Sequence, residues 1–226
     1  MSGIGLLNEK PLHASLKEWY AQPGDQFEVA VDGFVIDLVR DALLLEIQTG
    51  NFASIKSKLL KLIRAHRIRL VYPIAQEKWI IKLPKADSGG ATRRKSPKKG
   101  QAVDLFWQMV SFPQLVANPN FSLEVLLIRE EEVRRYEGQR KWRRRGWVIE
   151  ERRLLGVVDQ MVYEKPADWR AFLPKGLGTF TASDLANVMS IRRQLAQKIV
   201  YCLRKAAVIT LMGKQGRANL YRVTGA

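Results

Sequence analysis

FEVAVDGFVIDLVRDALLLEIQ, residues 27–48, decides the fold. FEVAV (27–31) alternates apolar and polar positions as a half-buried strand does, and Asp32-Gly33 follows as a tight-hairpin signal. FVIDLV (34–39) is the second strand, Arg40-Asp41 a second short turn, and LLLEIQ (43–48) the third strand. The reading is a three-stranded meander.

Working outward, Leu12, Leu16, Trp19 and Tyr20 recur at helical spacing, so residues 9–21 form a helix with Pro11 tolerated in its first turn. Thr49-Gly50-Asn51 ends the meander. Phe52, Ile55, Leu59, Leu62 and Ile63 then mark an amphipathic helix. IRLVYPI (68–74) and KWIIKL (78–83) read as a fourth and a fifth strand.

The meander carries an odd set of polar residues. Glu46 and Gln48 lie two apart in the apolar strand LLLEIQ and project from one face. Asp37 interrupts FVIDLV, and antiparallel pairing across the turn brings it near Glu46 and Gln48. Two carboxylates among apolar neighbours repel each other and lose hydration unless a cation offsets the cost. A partner such as Arg40 or Lys82 is one solution. A divalent metal is another, since Mg²⁺ takes one or two carboxylates, keeps several waters and binds substrate phosphate.

This order of elements, with an acid in the second strand and Glu-x-Gln in the third, resembles the core of the PD-(D/E)XK nucleases over about residues 7–84. The resemblance implies that Asp37 and Glu46 bind Mg²⁺ (or Mn²⁺), that Glu9 at the start of the first helix joins them, with Glu18 as the alternative, and that Gln48 occupies the position where the family usually has a water-orienting lysine. Lys56 and Lys58, on the following helix, are the candidates for the missing cation.

The charge is uneven. The 226 residues carry a formal net charge of +16. Residues 1–84 hold 11 Lys/Arg against 9 Asp/Glu, and residues 85–226 hold 27 against 13. A polyanion is the natural partner of the basic part. No apolar run is long enough to span a bilayer, and the N-terminus does not read as a signal peptide, so a cytoplasmic protein without membrane association is expected. A lone cysteine, Cys202, leaves no intrachain disulfide or Cys-based zinc site and reads as a buried thiol.

ADSGGATRRKSPKKGQ (86–101) reads as a solvated basic linker. Residues 103–117 read as a helix ending near Pro113, and 122–128 as a strand. A basic stretch follows, in which Arg140, Lys141, Arg143, Arg144 and Arg145 are interleaved with Trp142 and followed by Trp147. Arginines among aromatics suit phosphates and exposed bases. Residues 150–163 read as a helix with Leu154, Leu155, Val158 and Met161 on one face.

Thr181 with Asp184 forms a variant capping box for the helix TASDLANVM, and Ser190 is the expected cap of the next, IRRQLAQKIVYCLRKAA. VITLM, a tight GKQGRAN turn and LYRV close the chain. Helix, turn, longer helix and hairpin resemble a winged helix-turn-helix domain over residues 152–224. That resemblance implies DNA contacts from Arg192, Arg193, Gln194, Gln197 and Lys198 on the second helix, and from Lys214 and Arg217 on the wing.

The expected class is α/β (α+β), with a restriction-endonuclease-like αβββαβ core at 1–84, a basic linker and α/β middle segment at 85–149, and a winged helix at 150–226. The expected function is a metal-dependent DNA endonuclease. A catalytically inactive DNA-binding regulator and a recruiting subunit of a defence or transposition complex are the alternatives. Oligomeric state stays open between a homodimer and a larger nucleoprotein complex.

Overall fold

The computed structural model describes residues 10–85, 89–138 and 146–225. Its class is α+β, with a mixed sheet and several helices. The chain falls into two compact units. One is made of Met1–Asp25, Pro73–Gln101 and Leu126–Gln160, the other of Gln26–Tyr72, Ala102–Val125 and Met161–Ala226.

The second unit holds the meander. β1 (Gln26–Val31), β2 (Phe34–Arg40) and β3 (Leu43–Ile47) are successive antiparallel neighbours. The expected turns are present, and Asp32, Gly33 and Asp41 all take positive φ. A 3-10 turn, Phe52–Ile55, leads into α2 (Lys56–Leu62), and the chain returns as β4 (Arg67–Lys82), parallel to β3 from Leu43↔Arg67 to Ile47↔Val71. This parallel return is why β3 is buried from Leu44 to Ile47: it has neighbours on both edges and cover on both faces. Phe52 anchors the start of α2, stacked 5.3 Å from Phe112 and edge-on at 4.8 Å to Tyr72.

Residues 102–117 do not form the single expected helix. They break into a 3-10 turn at Ala102–Leu105, the short α3 (Phe106–Met109) and another 3-10 turn at Pro113–Ala117. Each turn buries aromatic or aliphatic residues, and Pro113, unable to donate a helical hydrogen bond, starts a new turn. Phe106 packs against Trp169 and Phe172, which lie on the 3-10 turn Pro166–Phe172.

The rest of this unit is the C-terminal module. α4 (Ala182–Val188) has the expected cap: Thr181 Oγ1 accepts from the Asp184 amide, and the Asp184 carboxylate accepts from the Thr181 N–H. Those donors, first the backbone N–H and then the hydroxyl, hold the Asp184 carboxyl below the usual range. α5 (Arg193–Lys205) starts after Arg192, which makes no side-chain capping bond; Ser190, the expected cap, takes φ 52 in the turn between the helices. Leu195, Ile199, Cys202 and Leu203 face inward as expected. β8 (Ile209–Gln215) and β9 (Ala218–Val223) form the closing hairpin, and Phe180 adds a bridge to Tyr221.

In the first unit, α1 (Pro11–Tyr20) buries Leu12, Leu16 and Tyr20. The two strands expected at 68–74 and 78–83 are one. β4 runs through Gln76, Glu77 and Lys78, and the charged pair there finds partners: Glu77 meets Lys95 and Arg129, and Lys78 meets Glu130 and Glu132. The expected linker at 86–101 contains β5 (Thr92–Lys95), antiparallel to β4, with Arg93 and Lys95 over the Trp79 ring. β6 (Phe121–Tyr136) continues well past the expected end at 128.

β7 (Trp147–Tyr163) replaces the helix expected over 150–163 and runs unbroken across the seam near 150. Its apolar spacing imitates a helix. However, Val148, Ile149, Val157, Val158 and Val162 are stiff, β-branched residues, and pairing with β6 supplies the ladder. Among the described residues no helix is long and apolar enough to cross a membrane.

Cys202 is fully buried, and burial pushes its thiol up to about 12. The thiolate is therefore scarce at ordinary pH. Iodoacetamide at pH 8 should leave Cys202 unmodified in the folded chain and label it fully in denaturant, as read by intact mass. Rapid labelling of the native chain would show that α5 does not pack as described.

Candidate functional site

Asp37 on β2 and Glu46 on β3 belong to neighbouring antiparallel strands. The ladder runs Arg40↔Leu43, Val39↔Leu44, Leu38↔Leu45, and the two acids follow directly after its last pair. Asp37 is half-buried, and its Oδ2 accepts a 2.7 Å hydrogen bond from the Ile47 amide, so its carboxylate lies against β3. Glu46 is only 8% exposed.

A buried carboxylate requires compensation. Lys58 on α2 provides it. Its Nζ is 2.5 Å from Glu46 Oε2 and 2.6 Å from the Val35 carbonyl oxygen. The parallel crossover from β3 through α2 places this lysine over the strands. Lys58 fills this role, while Lys56 is exposed and Lys82 lies over the Trp147 ring. Gln48 turns toward the start of the helix, where its Nε2 donates to the Asn51 carbonyl and to Ser54 Oγ, each at 2.9 Å.

Two adjacent carboxylates suit Mg²⁺ or Mn²⁺, which need one or two and fill the remaining positions with water and phosphate. Among the described residues no group of three or more His, Cys, Asp or Glu side chains could hold a metal. Glu9 lies outside the described residues, as do Arg140, Lys141, Trp142, Arg143, Arg144 and Arg145.

The C-terminal module forms a second candidate region. Residues 166–226 carry 10 Lys/Arg and 2 Asp/Glu. Both acids serve as caps: Asp168 accepts from the amides of Glu164 and Lys165, and Asp184 from Thr181. With both acids so engaged, the module has few carboxylates of its own for its basic side chains. On α5 and its cap, Arg192, Arg193, Gln194 and Gln197 are exposed, as are Lys214 and Arg217 on the hairpin. Lys198 is half-buried, its Nζ 5.4 Å from the Trp107 ring centroid. The exposed stripe continues to Tyr201, Arg204 and Lys205, residues that the resemblance did not point to. Their helical spacing from Gln197, with Tyr201 four residues on and Arg204 three further, was the available signal.

Several cations of the first unit instead meet carboxylates. Lys78 and Arg152 converge on Glu130, which is 0% exposed. Lys78 Nζ lies 2.8 Å from Glu130 Oε1 but outside hydrogen-bond alignment. Burial would raise the Glu132 carboxyl, yet Lys78 and Arg134 hold it below the usual range.

A mixed α+β sheet protein with a lysine-paired carboxylate at its central strand is the class these features define. The chain belongs to the family described as Domain of unknown function (DUF8091), whose model matches residues 10–164. It is similar to an uncharacterized protein of Treponema pallidum (strain Nichols), 27% identical over 222 residues, covering 97% of this chain and 87% of the relative. No solved structure matches.

Lys58→Met removes the cation from a buried carboxylate and should destabilise the chain by about 3 kcal/mol in urea unfolding. The double change Glu46→Gln/Lys58→Met should recover most of that loss. Equal stability of Lys58→Met and the parent chain would show that the pair contributes nothing.

Proposed function

We propose that the chain is a metal-dependent DNA endonuclease whose C-terminal module, read as a winged helix, holds the nucleic acid. The observation that carries this reading is Lys58 Nζ at 2.5 Å from Glu46, beside Asp37. Two acids and a cation are the working parts of a PD-(D/E)XK core, and Gln48, just past the third strand, leaves the cation's place open. Lys58 supplies that charge from the helix.

In this reading Asp37 and Glu46 hold Mg²⁺ or Mn²⁺, with Glu9 as the expected third acid. When bound, the metal supplies Lewis acidity at the phosphate and lowers the pKa of a water. Lys58 stabilises the negative charge that develops on the phosphoryl oxygens. Gln48 braces the turn from Asn51 to Ser54, which carries the helix and its lysine. A water oxygen bonds to phosphorus as a P–O ester bond breaks. The water proton passes to solvent, and the leaving oxygen takes up a proton.

A second reading, a non-catalytic DNA-binding regulator on the same core, is favoured by one specific contact. Glu46 is already compensated by Lys58, so the folded chain has no need of a metal there.

Cleavage of plasmid, duplex, forked and single-stranded DNA with Mg²⁺ or Mn²⁺ separates the two readings. Asp37→Ala and Glu46→Ala should each reduce cleavage at least about a hundredfold while leaving DNA affinity within about twofold. Cleavage undiminished in both variants, or no cleavage by the parent chain, removes the nuclease reading.

DNA retention has its own test. Arg193→Ala should weaken binding and reduce the slope of log K against log salt by about 0.9 for each phosphate it no longer neutralises. An unchanged slope would remove α5 from the DNA interface.

A further inference from the structure

Between α5 and the β8–β9 hairpin lies a groove of about 580 Å³. Arg193, Arg204, Lys205 and Arg217 line it, and no carboxylate residue does. Elsewhere in the chain, cations such as Lys58, Arg69, Lys78 and Arg152 sit on carboxylates. The groove thus concentrates positive charge with no carboxylate among its described lining residues, and its volume lies within the ~300–1,000 Å³ range of small-ligand sites.

Tyr201 stands on the rim and is 45% exposed. A second cavity, of about 330 Å³, lies on its other side, against Trp107 and Lys198. Gln197 and Tyr201 line both cavities. The two cavities therefore flank a shared ridge with an aromatic ring on it, cations on one side, and an aromatic residue and a lysine on the other.

Phosphates and exposed ring faces together suit one kind of ligand. A duplex offers phosphates and base edges but hides its base faces within the stack. An unpaired strand offers phosphates and free base faces, and proteins hold it with basic grooves and aromatic platforms. We propose that this groove holds a single-stranded stretch of nucleic acid, with phosphates on Arg193, Arg204, Lys205 and Arg217 and a base stacked on Tyr201. The inference rests on reading the C-terminal module as a nucleic-acid binder, and it names the form of nucleic acid bound there.

The test is fluorescence anisotropy with the full chain, using labelled oligothymidylate, oligouridylate and a DNA duplex of equal length. The parent chain should bind a single strand more tightly than the duplex. Preference for the thymidylate assigns the groove to DNA, and preference for the uridylate assigns it to RNA. Tyr201→Ala should weaken single-strand binding about tenfold and leave duplex binding unchanged, while Tyr201→Phe keeps the ring and the affinity. Arg204→Ala/Arg217→Ala should flatten the salt dependence of single-strand binding.

Tighter duplex binding by the parent chain, or Tyr201→Ala affecting both ligands alike or neither, overturns the inference. In that case duplex binding would leave the broader DNA-binding reading intact. Binding to no probe overturns both, and the cleavage result for Asp37→Ala is read independently of either.

Discussion

A carboxylate buried in the central strand of a sheet is the constraint around which the second unit is arranged. Glu46 occupies a position where Leu44, Leu45 and Ile47 are covered, and an uncompensated charge there would oppose folding. Lys58 meets it because the chain crosses from β3 through α2 and returns in parallel. The same crossover buries Leu59 and Leu62 and seats Phe52 against Phe112 and Tyr72. Packing and charge compensation thus come from one connection. Replacing such a pair with apolar residues is often tolerated, so its presence is the kind of feature that motivates a functional reading.

The distribution of partners separates the molecule electrostatically. In the first unit, long strands carry acids and bases that meet across the ladder: Glu77 with Lys95 and Arg129, Glu130 with Lys78 and Arg152, and Arg93 with Glu131. In the C-terminal module the two acids are held by backbone N–H groups at turns and helix starts. An acid engaged as a cap attracts nearby cations less strongly, since backbone dipoles already satisfy part of its charge. Among the described residues, α5 with its cap and hairpin exposes Arg192, Arg193, Arg204, Lys205, Lys214 and Arg217. This asymmetry supports the nucleic-acid reading more than the net charge does.

Several elements were legible because local rules and tertiary packing agree. Asp32-Gly33 turns the first hairpin, Thr181 with Asp184 caps α4, and the apolar periodicity of 195–203 marks the buried face of α5. Other segments misled for physical reasons. β7 has apolar residues at helix-like intervals, and its strand conformation comes from pairing with β6. Residues 75–77, with polar Gln76 and Glu77, read as a break, but partners across the sheet keep β4 continuous. Ser190 has the chemistry of a cap, yet the turn places it at positive φ and leaves Arg192 at the helix start.

From sequence alone came the meander, the placement of Asp37 and Glu46 on its adjacent second and third strands, and the location of the basic excess. These depend on strand alternation, turn chemistry and composition, all of which act over a few residues. Tertiary structure decided which lysine compensates Glu46, that Gln48 faces the turn, and that Tyr201 joins the basic groove. Those outcomes depend on where a helix lands over strands distant in sequence, and side-chain reach across such a crossing has no periodic signature in the chain.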